Sequence, residues 1–107
     1  MKLVLAVLLF AIAAVPAYAH PCDEDARARA VPLLRLHFDD PQADVGVGEE
    51  IKELAPVKAL QGSGKFDVLE VWGYIYKAEY RMRFIYAQIP DTCVLMGQEI
   101  IEASDPY

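Results

Sequence analysis

The sequence predicts an α+β domain: one N-terminal helix packed on a three- to four-stranded antiparallel meander sheet, stapled by one disulfide. Three observations predict it. A helix-like pattern occurs once, early, from Asp23 to His37. Later in the chain, β-branched and aromatic residues gather in strand-like runs separated by short turn signals. Two cysteines, Cys22 and Cys93, flank the stretch between helix and last strand.

The chain has 107 residues and is 55% hydrophobic. The first 19 distort that figure, since all are apolar except Lys2 and Pro16. Lys2 supplies a short positive region, Leu3 to Val15 an unbroken apolar run, and Ala17-Tyr18-Ala19 small residues at −3 and −1 of a cleavage site. This is the three-part pattern of a secretion signal. A run of 13 apolar residues is too short for a spanning helix, which needs about 20. Residues 1–19 are therefore expected to be cleaved, leaving His20 as the N-terminus. Ala19-His20-Pro21 before Cys22 does not suit lipid attachment, and no Asn occurs to carry a glycan. Export to a periplasm, or secretion, is expected, with no membrane span after cleavage.

Residues 20–107 remain, 88 after removing 19 from 107, enough for a single small domain. Without Lys2 they hold 9 Lys+Arg against 16 Asp+Glu, a net charge of −7. That balance argues against sequence-independent nucleic-acid binding, which runs on cations against phosphate. It argues equally against docking on anionic lipid.

An even cysteine count in an oxidising compartment reads as a disulfide. A Cys22–Cys93 bridge closes most of the exported chain into one loop, which chain-entropy reasoning values at about 4 kcal/mol. Redox or metal use is disfavoured, because Cys-x-x-Cys spacing and a third thiol are both absent.

Asp23, Glu24 and Asp25 suit the positive end of a helix dipole. Ala26, Ala30, Leu33 and Leu34 then share one face at three- and four-residue spacing. Pro32 predicts a kink. Asp39-Asp40-Pro41 ends the helix. Residues 39–50, DDPQADVGVGEE, read as a loop. Glu49 to Leu60 fits neither period well: as a strand, Pro56 confines it to an edge or a bulge, and as a helix, Pro56 breaks it; the strand is favoured because the next segment looks like its hairpin partner. Gln61-Gly62-Ser63-Gly64 is the turn to its partner. Phe66 to Tyr76 is the strongest strand, Lys77-Ala78-Glu79 the connection, and Tyr80 to Ile89 the next strand. Pro90-Asp91 turns the chain into a last strand, Cys93 to Ala103.

Most aromatics of the exported chain lie between Phe66 and Tyr86. On a period of two, Phe66, Val68, Trp72, Tyr74 and Tyr76 share one face of their strand. Tyr80, Met82, Phe84 and Tyr86 share one face of the next. Their reverse faces carry Leu69, Val71, Gly73 and Ile75, then Arg81, Arg83, Ile85, Ala87 and Ile89. Both sheet faces are thus partly apolar, and one short helix covers only one of them. The other meets solvent, a foreign protein or a second copy of the chain. Tyr and Trp suit such a face, although they also favour strands for packing reasons alone. Trp72, Tyr74, Tyr76, Tyr80, Arg81 and Arg83 are the candidate binding residues; the Arg pair could grip a carboxylate or cap a solvated face near Glu70 or Glu79.

Catalytic sets are missing. The exported residues hold two Ser, one Thr and two His, without a Gly-x-Ser-x-Gly elbow. Gly62-Ser63-Gly64-Lys65 lacks the rest of a phosphate loop and feeds a strand. No cofactor is called for. An N-terminal His20 offers its α-amine and imidazole to one metal ion, and copper(II) favours such nitrogen sets. The expected function is a non-catalytic exported binding module, such as an inhibitor or envelope accessory factor. The alternative is a small-ligand or copper carrier using His20.

Overall fold

The computed structural model describes residues 19–104. The expected secretion signal therefore lies, apart from Ala19, outside the described residues. Helix α1 runs Asp23–Phe38, followed by strands β1 (Val45–Lys58), β2 (Lys65–Ile75), β3 (Ala78–Ala87) and β4 (Leu95–Glu102). The strands form one antiparallel sheet in the order β1-β2-β3-β4. The helix lies across one face, mainly over β1 and β2. No helix among the described residues is long and apolar enough to cross a membrane.

The helix forms because its first turn is acidic and its inward positions are small or branched at Cγ. Ala26 and Ala30 are fully buried, and Leu33 and Leu34 continue that stripe. Alanine at these positions lets the helix axis approach the sheet closely. Pro32 lies inside the helix without ending it, on the exposed side. There the carbonyl that loses its partner faces water, which is where a helix best tolerates proline. Asp39 then adopts the left-handed conformation (φ 59°), and its N–H bonds the carbonyls of Arg35 and Leu36, ending the helix.

The Cys22–Cys93 disulfide is present, with Cα atoms 5.7 Å apart. It joins the residue before α1 to the loop entering β4. Two polar links hold the same end of the helix. The Tyr86 hydroxyl, on a fully buried side chain, donates to Asp25 Oδ2 at 2.7 Å, and Arg29 Nε donates to the same oxygen at 2.7 Å. Arg29 above all, with help from the Tyr86 hydroxyl, holds the Asp25 carboxyl below its usual range against partial burial. Burial first, then the neighbouring Asp25 charge, pushes the Tyr86 phenol far above its ordinary value.

Two sequence expectations are corrected. Residues 39–50 are not all loop, because β1 begins at Val45. Val45-Gly46-Val47-Gly48 is an alternating strand: Val45 and Val47 pack toward the core, and the glycines take the reverse positions. Pro56 sits within the second of two register irregularities, Val47/Ile51 and Leu54/Val57, on an edge strand.

The second correction concerns the β2–β3 connection. Ile75 pairs with Ala78, so the turn is Tyr76-Lys77 alone and not Lys77-Ala78-Glu79. A tight two-residue turn matches strand twist. A shift of one residue exchanges which side chains share a face. Trp72 consequently lies beside Arg81, and Gly73 beside Tyr80. Tyr80, Met82, Phe84 and Tyr86 join Leu69, Val71 and Ile75 under the helix as the core. Trp72 and Tyr74 face the other way.

Candidate functional site

The helix-free face of the sheet is built from the even-numbered residues of β2 and the odd-numbered residues of β3. Cross-strand rows run across it. Gly46, Tyr74 and Glu79 form the row nearest the β2–β3 turn; Trp72, Arg81 and Ile101 form the next. Lys52, Glu70, Arg83 and Glu99 follow as a ladder of alternating charge. Beyond it lies an apolar row of Leu54, Val68, Ile85 and Gly97.

The charged ladder is largely satisfied from within. Glu70 is only 8% exposed. It accepts from Arg83 Nε and from Trp72 Nε1–H, both at 3.1 Å. Arg83 Nη1 also lies 3.7 Å from Glu99, and Arg81 Nη2 lies 4.0 Å from the same carboxylate. Arg81 Nε is buried without a hydrogen-bond partner among the described residues. Arg81 and Arg83 thus stand on the face as a pair, but Glu70 and Glu99 already occupy them.

The aromatic row differs. Tyr74 is 41% exposed, Trp72 is partly exposed, and Tyr76 at the turn is 75% exposed. Gly46 and Gly48 of β1 lie alongside: a Cβ at Gly46 would come 3.8 Å from Tyr74 Cβ, and one at Gly48 would come 3.9 Å from Trp72 Cβ. With no side chains on this stretch of β1, the rings stand as a ridge above a glycine floor. A hollow of about 560 Å³ lies between the ridge and Gly48, Glu49, Glu50 and Lys52. A second hollow, about 350 Å³, lies beyond Tyr74 against Asp44, Gly46 and Tyr76.

Tyr76 carries an unusual backbone. Its φ is 53°, in the left-handed region that glycine occupies freely. An L-residue there costs about 1–2 kcal/mol. Its ring sits 5.9 Å from that of Phe38 at the helix end, a tilted pair that keeps both rings at the surface.

The site residues expected from sequence separate in space. Trp72, Tyr74, Arg81 and Arg83 share the open face, and Tyr76 extends the aromatic row at its end. Tyr80 does not belong to this group. It is 3% exposed, beneath the helix, with His37 edge-on at 5.5 Å and its hydroxyl donating to Glu102 at 3.3 Å. Burial first, then Glu102, raises its phenol above the ordinary value. The sequence reading missed Asp44, Gly46, Gly48, Glu49 and Glu50 as site residues, placing the first three in a loop and the last two where loop and strand meet. The Val-Gly-Val-Gly alternation was the signal that could have placed Gly46 and Gly48 on a strand, with Asp44 just ahead of it.

His20 is engaged by the protein itself. The Cys22 N–H donates to Nδ1 at 3.0 Å, so the proton sits on Nε2, which donates to Asp67 Oδ2 at 2.8 Å. The His20 bond first, and a bond from Gln88 second, lower the Asp67 carboxyl below its usual range. Both ring nitrogens are thereby used, and no group of three or more His, Cys, Asp or Glu side chains among the described residues is arranged to hold a metal ion. The chain matches no known family model, no curated protein and no solved structure.

Proposed function

We propose that this is a non-catalytic exported protein whose open sheet face binds another protein, in the manner of an inhibitor or an envelope accessory factor. The observation that carries the reading is the ridge of Trp72 and Tyr74, left open on the face opposite the only helix of the described residues, with exposed Tyr76 at its turn end. Large aromatic side chains with one polar end tolerate both water and a partner, and they supply binding energy at little entropic cost. The glycine floor beside them gives a partner's side chains somewhere to enter. The disulfide supports residence in an oxidising compartment, hence export. The cleavage pattern before His20 supports the same destination, periplasmic or secreted.

The test uses the exported protein, immobilised and exposed to the extracytoplasmic fraction of its source, beside Trp72→Ala and Tyr74→Ala variants. A species retained by the wild type and lost from both variants, with melting points held within a few degrees, is the expected result. Equal retention by all three proteins sinks the reading. So does a sedimentation experiment in which the aromatic variants alone turn a dimer into a monomer, since the ridge would then be spent on a second copy.

A further inference from the structure

We infer that the ridge takes a basic partner: an arginine or lysine side chain of another protein lies over Tyr74, its charge met by the carboxylates rimming the two hollows. This rests on the protein-binding reading above and names the chemistry of what binds.

The open face is divided electrostatically. On its β3–β4 side, cations and carboxylates are already matched, with Arg83 against Glu70 and Glu99 and Arg81 near Glu99. On its β1 side, the hollows beside the ridge are lined by Asp44, Glu49 and Glu50, against the single cation Lys52. Lys52 in turn lies across from Glu70 in the strand register. Among the described residues, none of the Asp44, Glu49 and Glu50 carboxylates has a cationic group within 4.0 Å, although Arg27 Nη2 donates to the Glu49 backbone carbonyl at 2.6 Å. Glu79, beside Tyr74, is equally free, so the uncompensated charge lies on both sides of that ring.

Aromatic faces attract cations through their quadrupole, most strongly where nearby carboxylates add to the field. Tyr74 and Trp72 beside this rim are such a place. A glycine strip without Cβ atoms leaves room for a long, thin side chain to lie flat against the rings. The turn adds a second sign. Glycine or asparagine would serve the first position of this turn without strain, yet the sequence holds an exposed tyrosine there at φ 53°.

A second copy of the chain is a poor occupant by the same reasoning. A two-fold contact would bring Asp44, Glu49 and Glu50 toward an identical acidic rim, and like charges facing each other oppose association. A net charge of −7 on the exported residues adds repulsion between copies and steers cationic proteins inward.

Trp72 is the only tryptophan of the chain, so its fluorescence reads this site directly. The probe is a blocked peptide of alternating Arg and Gly, compared with its glutamate counterpart and a neutral Gln-Gly peptide. The expected result is a saturable change in Trp72 emission with the arginine peptide alone, weakened by salt. The double variant Glu49→Gln/Glu50→Gln, on exposed side chains, should bind it about tenfold more weakly at an unchanged melting point. An absent response to the arginine peptide overturns the inference, as does undiminished binding by the double variant. A saturable response to the neutral or acidic peptide overturns the basic class while leaving the ridge as a binding surface. The protein-binding reading falls separately, if the Trp72→Ala and Tyr74→Ala variants retain the captured species or if they alone turn a dimer into a monomer.

Discussion

Residues 84 and 85 are neighbours in one strand and live in different chemistries. Phe84 is fully buried between sheet and helix; Ile85 is half-buried on the open face. The contrast extends over the sheet. The helix-covered face is apolar, with Leu69, Val71, Ile75, Met82, Phe84 and Tyr86 meeting Ala30 and Leu34. The open face carries a charged ladder, an apolar row and the aromatic ridge. One helix of 16 residues cannot cover both sides of a four-stranded sheet, so the two faces differ in what they meet. Most of the buried apolar side chains lie under the helix, with Val68 buried on the other side, and the surface we propose for recognition lies on that open face.

The sharpest way to break that division is to truncate adjacent residues. Phe84→Ala should cost about 3–5 kcal/mol, the usual figure for a fully buried ring. Ile85→Ala should cost about 1 kcal/mol. Urea denaturation of the two variants measures both. Comparable losses would mean that the open face is as much core as the covered one.

Gly73 tests how tightly the helix is seated. A Cβ there would lie 2.6 Å from Leu34 Cδ1 and 2.8 Å from Met82 Cε, both on fully buried side chains. Gly73→Ala should therefore destabilise by about 1–3 kcal/mol through overpacking. Gly48→Ala, whose Cβ would come no closer than 3.5 Å to its nearest neighbour, should be tolerated. Thermal melts of the two variants compare them.

A pH series sharpens the polar side of the covered face. Asp25 and Asp67 have carboxyls depressed in the folded protein, chiefly by Arg29 and by His20 respectively. A depressed folded pKa adds stability above the unfolded value of about 3.9, and that stability is lost as pH falls through the folded value. Asp25→Asn should thus melt below the wild type at neutral pH, with the gap closing as the pH falls toward about 2. A gap that persists in acid would mean the asparagine is harmful for reasons other than charge. Tyr86→Phe, which removes only the hydroxyl donated to Asp25, should cost about 1 kcal/mol at neutral pH.

The smallest effect belongs to the turn that separates the faces. Tyr76→Gly relieves about 1–2 kcal/mol of left-handed strain. It also loses a ring pair with Phe38 that contributes about 0.5–1.5 kcal/mol. The net change in melting should be slight and upward. A clear drop would show that the Phe38 contact, and not the turn, governs this end of the molecule.

How much of this was legible in the sequence follows from what each signal depends on. Helix, disulfide and meander were legible because local patterns report them. The Ala26–Ala30–Leu34 stripe has helical spacing, and the strong strands are dense in β-branched and aromatic residues. The two cysteines had only each other as partners. The first strand was half lost, because Gly46 and Gly48 look like loop residues until Tyr74 and Trp72 are seen beside them. Tyr80 was misplaced among the binding residues for a related reason. Sequence periodicity says which residues share a face of one strand, but not which face of the next strand joins it.

By itself, then, the sequence determined the order and type of the elements, the disulfide and the acidic balance. Only the tertiary structure decided which aromatics are core and which are surface. The physical reason is one residue of turn length. Pairing Ile75 with Ala78 sets the phase between two strands whose side chains repeat every two positions, and that phase places Tyr80 beneath the helix and Trp72 in the open.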